Sequence, residues 1–180
     1  MELTEKTLEK EEIFKGRVIN LHIETVELPD GQTSTREIVT HPGGVGVIAV
    51  DENNDAYMVS QFRSPYKKVV LEAPAGKLSP GEHHLECGIR ELREETGLVA
   101  DDMKYLGNIL PSPGYTNEII HLYLATGLKQ KEQQLDEDEF LSVHKIPLEK
   151  LKDMCMNNEI TDAKTVALIL KAYLIISPSA

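Results

Sequence analysis

Three glutamates, Glu91, Glu94 and Glu95, follow Arg90 within a few residues of one another. Their separations of three and four residues stack the side chains on one face if the segment is helical. Such a face asks for a cation. A hard divalent ion such as Mg²⁺ takes oxygen ligands, keeps several waters and is usually held by one or two carboxylates plus substrate phosphates. The competing reading is a solvated acidic face held by Arg–Glu pairs, with Arg90 placed to pair with Glu94.

The element carrying these residues is expected to be a helix over residues 79–97. Ser79 can cap it, Pro80 suits its first position, Glu82 completes a Ser-x-x-Glu capping box, and Gly97 supplies the stop. Leu85, Ile89 and Leu92 recur at helical spacing and predict a buried stripe, with Glu91 and Glu95 on a different face. Upstream lie a strand VGVIAV, a turn DENND, a strand AYMVSQFR, a loop through Ser64-Pro65-Tyr66 and a strand VVLEAPAG that leads into the helix. Downstream, strands are expected near residues 103–110, 118–125 and 140–143, then helices over 147–156 and from a cap at Thr161 or Asp162 to about 176. In the last helix Val166, Ile169, Leu170, Tyr173 and Leu174 should face inward. Strands interleaved with a few helices imply a mixed sheet between helical layers.

Residues 1–43 read as a separate antiparallel β unit: 13–28 is apolar and β-branched, Pro29-Asp30-Gly31 is a turn, and 33–40 alternates. This unit is too small for its own core and should lean on the rest of the molecule or on a second copy. Residues 44–180 form the main domain. The glycines in His41-Pro42-Gly43-Gly44-Val45-Gly46 precede a strand rather than a helix, so they do not make a dinucleotide loop.

At 180 residues and 20.1 kDa the chain can bury a sizeable core. Its formal charge of −11 argues against nucleic acid as the main partner, because a polyphosphate backbone calls for a basic surface. Small phosphate esters are compatible with it. No apolar run reaches membrane-span length and the N-terminus is acidic and polar, so no membrane partner and a cytoplasmic location are expected. Cys87 and Cys155 give no CxxC and read as reduced packing thiols, and the histidines show no zinc spacing.

Gly76, Glu82, Arg90, Glu91, Leu92, Glu94, Glu95, Gly97 and Leu98 fill every defined position of the Nudix box. The chain therefore resembles the Nudix hydrolase superfamily. The resemblance implies an α/β/α sandwich over about residues 44–176. It further implies Mg²⁺ or Mn²⁺ held by Glu91, Glu95 and Glu94 with the backbone carbonyl of Ala75. Arg90 would orient the carboxylates, and Glu82, open to a role as cap or outer ligand, is read as the capping residue because that role needs no further assumption.

Leu110-Pro111-Ser112-Pro113-Gly114-Tyr115-Thr116-Asn117-Glu118, together with Gln61-Phe62-Arg63 and Leu71-Glu72-Ala73-Pro74-Ala75-Gly76, resembles the branch of that family that hydrolyses ADP-ribose. In that branch Pro113, Gly114 and Glu118 would belong to the substrate loop. The acidic run Asp136-Glu137-Asp138-Glu139 taken alone is a solvated loop. By the resemblance, Glu137 becomes the leading general base and Glu139 an additional metal contact, with Glu94 also open as the base. Arg63 and Arg36 are candidates to hold phosphate or the terminal ribose; alternatively Arg63 is a surface charge and Arg36 pairs with Glu37 or Glu24. Related enzymes exchange the N-terminal unit in a homodimer, and Phe14 could then stack on adenine or pack in the seam.

Three alternatives stay open: the same chemistry on another nucleoside diphosphate sugar or dinucleotide, a non-catalytic ADP-ribose sensor, and a prenyl diphosphate isomerase. The intact box weighs against the second. The third lacks a matching context for Cys87.

Overall fold

The computed structural model describes residues 3–135 and 140–177. The backbone divides into two units, one made of Met1–Gly43 with Leu110–Ile119, the other of Gly44–Ile109 with Ile120–Ala180. The ten residues from Leu110 thus group with the N-terminal segment.

The first unit is an antiparallel sheet of β1 (Lys6–Lys15), β2 (Asn20–Glu27) and β3 (Thr33–Thr40), in that order. The hairpin between β2 and β3 turns at Gly31, whose φ of 83° is one that glycine adopts without cost. Sequence patterning placed β-structure from residue 13. β1 instead begins at Lys6, because its charged, non-alternating residues hide a strand that is exposed along its length. The 110–119 segment joins β3 through an isolated bridge between Val39 and Thr116, and the Val39 N–H donates to the Tyr115 carbonyl at 2.7 Å.

The second unit is built on a seven-stranded sheet. β4 (Gly44–Val50), β5 (Asp55–Arg63), β8 (Leu98–Ile109), β9 (Ile120–Gln130) and β10 (Leu141–Pro147) run in the order β10-β5-β4-β9-β8. β6 (Lys68–Glu72) pairs with β5, and β7 (Ala75–Lys77) pairs with β4. β4 and β9 are parallel and the remaining pairs antiparallel, so the sheet is mixed.

β4 is buried throughout, and its period of two sends alternate residues to opposite faces. Val45, Val47 and Ala49 pack with Cys87 and Leu92 of α1 (His84–Thr96). Ile48 and Val50 pack on the other face with Leu148 and Leu151 of α2 (Leu148–Met156) and Leu168, Ile169 and Ala172 of α3 (Ala163–Ile176). Each fully buried Leu or Ile contributes roughly 1.5–3 kcal/mol. The expected α/β/α sandwich with a mixed sheet is what forms in the second unit, and the expected small antiparallel sheet is what forms in the first.

Two helix faces differ from the periodicity reading. Ile89, placed in the buried stripe of α1, is 47% exposed, and the buried face comprises Cys87, Gly88, Glu91, Leu92, Glu95 and Thr96. The carboxylates of Glu91 and Glu95 belong to the packed side of the helix, a position that apolar counting assigns away from them. In α3, Leu174 is exposed whereas Thr165, Leu168 and Ala172 are buried. Asp162 caps α3, accepting the Thr165 N–H at 3.0 Å. Both cysteines are buried and free, and burial pushes the Cys87 thiol up to about 12, as suits a packing residue. Among the described residues no helix is long and apolar enough to cross a membrane.

Candidate active site

α1 begins at His84, later than the capping box predicts. Ser79 and Glu82 do bond reciprocally, Ser79 N–H to Glu82 Oε2 at 2.9 Å and Glu82 N–H to the Ser79 carbonyl at 3.0 Å. They close a turn rather than a helix, because Gly81 sits at φ 78° and sends the chain off the helical path. His83 is the N-cap, its ring accepting from the Leu85 N–H at 3.3 Å. The Glu82 carboxylate is freed to meet Arg90. At the other end Gly97 stops the helix as expected, with φ 70° and its N–H on the Arg93 carbonyl at 2.8 Å.

Arg90 is the hub. Its Nε donates to Glu82 Oε1 at 2.8 Å, and its Nη1 donates to Glu91 Oε1 at 2.7 Å and Glu94 Oε2 at 2.8 Å. Its Nη2 reaches Glu82 Oε2 at 3.1 Å and the Lys77 carbonyl at 3.3 Å. One planar guanidinium therefore fixes three carboxylates, which a lysine's point charge could not do with the same geometry. The Arg90 hydrogen bonds hold the Glu82 carboxyl down at about 2, and the same contacts raise Arg90 itself.

The strand that precedes the helix supplies the other wall. Glu95 Oε2 accepts the Ala75 N–H at 3.0 Å. A Cβ on Gly76 would lie 1.8 Å from the Glu91 carboxyl carbon, so Glu91 occupies the space that any other residue at 76 would fill. Glu91 and Glu95 are 8% and 3% exposed.

The C-terminal end of α1 is held by glutamines for which no sequence signal exists. Gln134 N–H donates to the Glu94 carbonyl at 3.1 Å, Gln133 Nε2 to the Glu95 carbonyl, and Gln130 Nε2 to the Thr96 and Gly97 carbonyls, both at 3.4 Å. An open groove of about 320 Å³ runs beside this end, lined by Glu86, Ile89, Arg90, Arg93, Glu94 and Gln134. At the N-terminal end, His84 Nδ1 meets the Tyr123 hydroxyl at 2.5 Å, and the His84 and His121 rings stack with centroids 4.0 Å apart.

The other predicted site residues divide as follows. Arg63 is bound to Glu72, Nε at 2.6 Å and Nη2 at 2.8 Å, and that contact raises its pKa. Arg36 pairs with Glu5, neither Glu24 nor Glu37, through Nε at 3.0 Å and Nη2. Pro113 and Gly114 lie in a turn where the Tyr115 and Thr116 N–H groups donate to the Ser112 carbonyl at 3.3 and 3.2 Å. Glu118 lies 3.3 Å from His41 Nδ1. Phe14 is 54% exposed on β1. Glu137 and Glu139 lie outside the described residues.

Among the described residues no three or more His, Cys, Asp or Glu side chains converge closely enough to hold a metal as a set. What they offer is hard oxygen donors on one buried face, backed by backbone with no side chain at Gly76. That donor chemistry fits an ion that keeps waters and completes its shell from a substrate.

Residues 40–169 match the NUDIX domain, and residues 5–39 match the nucleoside diphosphate sugar hydrolase N-terminal domain. The chain belongs to the Nudix family, and it is a Nudix hydrolase. It is 48% identical to the methanol dehydrogenase activator of Bacillus methanolicus, over 90% of this chain and 89% of that one. It is 46% identical to the ADP-ribose pyrophosphatase of Bacillus subtilis (strain 168), over 91% of this chain and 89% of that one. The fold is shared with the crystal structure of an ADP compounds hydrolase, at a TM-score of 0.86 and 20% identity, covering 99% of this chain and 97% of that one.

Proposed function

We propose that this Nudix hydrolase cleaves the pyrophosphate bond of ADP-ribose with Mg²⁺ or Mn²⁺, giving AMP and ribose 5-phosphate. The observation that carries the reading is the likeness to an ADP-ribose pyrophosphatase at 46% identity along 91% of the chain, box included. Phosphorus in a pyrophosphate is shielded by anionic oxygens, so hydrolysis needs charge neutralised, a water in line and its proton removed. A bound divalent ion supplies the first and acidifies water.

The chain's own residues have these parts. Glu91, Glu95 and Glu94, with the Ala75 carbonyl, hold the ion, and Glu139 adds a contact. Arg90 keeps the carboxylates aimed, with Glu82 anchoring the far side of its guanidinium. Glu137 takes the proton from water, with Glu94 as the competing base. Arg63 and Arg36 grip phosphate or ribose, and Pro113, Gly114 and Glu118 shape the substrate loop. The protein works as a cytoplasmic homodimer that exchanges its N-terminal unit.

A second reading keeps the chemistry and changes the substrate to another nucleoside diphosphate sugar or a dinucleotide. The match of residues 5–39 to a domain named for nucleoside diphosphate sugar hydrolases in general favours it.

The test is hydrolysis of ADP-ribose, other nucleotide sugars, dinucleotides and nucleoside triphosphates, with Mg²⁺ and with chelator, products resolved by chromatography. Preferred release of AMP from ADP-ribose, abolished by chelator, is expected. Preference for another compound replaces the substrate, and no turnover of any of them turns the reading to a ligand sensor.

A further inference from the structure

We propose that Thr165, Lys164 and Asp162, at the start of α3 and outside the Nudix box, are positioning residues that set the backbone of residues 72–76 and through it the carboxylates of Glu91 and Glu95. The inference rests on the metal-dependent reading above.

Thr165 is fully buried. Its hydroxyl accepts the Ala73 N–H at 2.9 Å and donates to Asp162 Oδ2 at 2.6 Å. That carboxylate also accepts the Thr165 N–H at 3.0 Å and Lys164 Nζ at 2.9 Å. An ordinary helix cap would end there. Here the threonine hydroxyl continues to Ala73, and Lys164 continues to Glu72 as an ion pair. Glu72 is 2% exposed and also carries both bonds from Arg63. Burial alone would raise the Glu72 and Asp162 carboxyls, but their cationic and hydrogen-bonding partners outweigh it and hold both low.

Each residue of the following backbone is then fixed by a different neighbour. The Pro74 carbonyl accepts the Val47 N–H at 2.8 Å. Ala75 donates to Glu95 at 3.0 Å and pairs with Gly46. Gly76 pairs with Val45 and makes room for Glu91. From Glu72 to Gly76 the segment is clamped by α3, by β4 and by α1 in turn, so a shift at Ala73 is passed to the two carboxylates that contact Ala75 and Gly76. The Arg63 charge lies within electrostatic reach of both Glu95 and Asp162, which ties the two ends of the network together.

The experiment titrates Mn²⁺ into the full chain by electron paramagnetic resonance, with kcat and KM measured beside it, for the parent, Thr165→Val, Thr165→Ser and Lys164→Met. Thr165→Val, which keeps shape and loses the hydroxyl, is expected to raise the Mn²⁺ Kd about tenfold and to lower kcat more than it changes KM. Thr165→Ser restores the parent behaviour. Lys164→Met moves both readouts in the same direction by a smaller factor and carries the test if Thr165→Val fails to fold. Parent-like Mn²⁺ affinity in both Thr165→Val and Lys164→Met, whatever their melting temperatures, overturns the positioning role alone. A parent that binds no Mn²⁺ overturns the metal reading and this inference with it.

Discussion

Gly76 and Glu91 compete for the same volume: a single methyl at position 76 would coincide with the Glu91 carboxylate, 1.8 Å from its carbon. Glu91 is also bonded to Arg90 at 2.7 Å, so it cannot retreat without breaking that contact. Gly76→Ala should lower kcat by roughly 10–100-fold and raise the Mg²⁺ needed for half-maximal rate. Kinetics across a Mg²⁺ titration check this. An alanine variant with parent kinetics would mean that the seat of Glu91 is unimportant.

Arg90 distributes its donors over Glu82, Glu91 and Glu94. Arg90→Lys keeps the charge and loses the planar fork, so it should resemble Arg90→Gln, with activity down about 10–100-fold. Comparing the two variants separates geometry from charge. Full activity in the lysine variant would reduce Arg90 to a counter-ion.

The base can be assigned by paired substitutions. Glu137→Gln should cost about 10²–10⁴ in kcat with Mn²⁺ affinity unchanged, as loss of a general base does. Glu94→Gln should instead weaken Mn²⁺ binding. The opposite pattern would exchange the two roles, and near-normal turnover in Glu137→Gln removes it as the base.

His84 and His121 are shifted below the usual histidine value, His84 by burial and then the neighbouring His83, and His121 by burial and then His84 and His83. The groups facing them are His83, Tyr105 and Tyr123. Because the folded state prefers both rings neutral, their stabilisation is present above the unfolded value of about 6.5 and is lost as pH falls through the lower folded values. Urea midpoints at about pH 7.5 and 5.5 should drop between the two, and His121→Phe, which retains an aromatic ring beside His84, should drop less. Further down, Glu82 withdraws its share as pH falls from about 4.5 towards its folded value of about 2. Acid unfolding of Glu82→Gln should lack that phase.

Six strands of the main sheet, the acidic helix and the capped final helix were legible because burial imposed simple periods on them. β4 reads as an unbroken apolar run because both faces are covered. Gly97 and Asp162 were legible as helix ends because capping is local chemistry. The start of α1 was misread because Ser79, Pro80 and Glu82 satisfy a cap in sequence, while Gly81 at positive φ and the pull of Arg90 decide otherwise in space. Ile89 misled for a related reason, since a helix that buries Glu91 and Glu95 beside Leu92 leaves Ile89 on its outer side. The parts played by Glu72, Lys164, Thr165 and Gln133 could not be read at all. Lys164 and Thr165 meet the 72–73 segment across some ninety residues of chain, and Gln133 reaches α1 with a side chain that carries no positional signature.

β1 has a consequence for how this protein behaves when concentrated. An edge strand that shows Leu8, Ile13 and Phe14 to solvent is a template on which like strands could stack into fibrils. Lys6, Glu9, Lys10, Glu11, Glu12 and Lys15 interrupt it, and such charges act as gatekeepers against self-templating. Replacing Lys10 and Glu11 with threonine should leave the active domain untouched and yet turn clear solutions turbid.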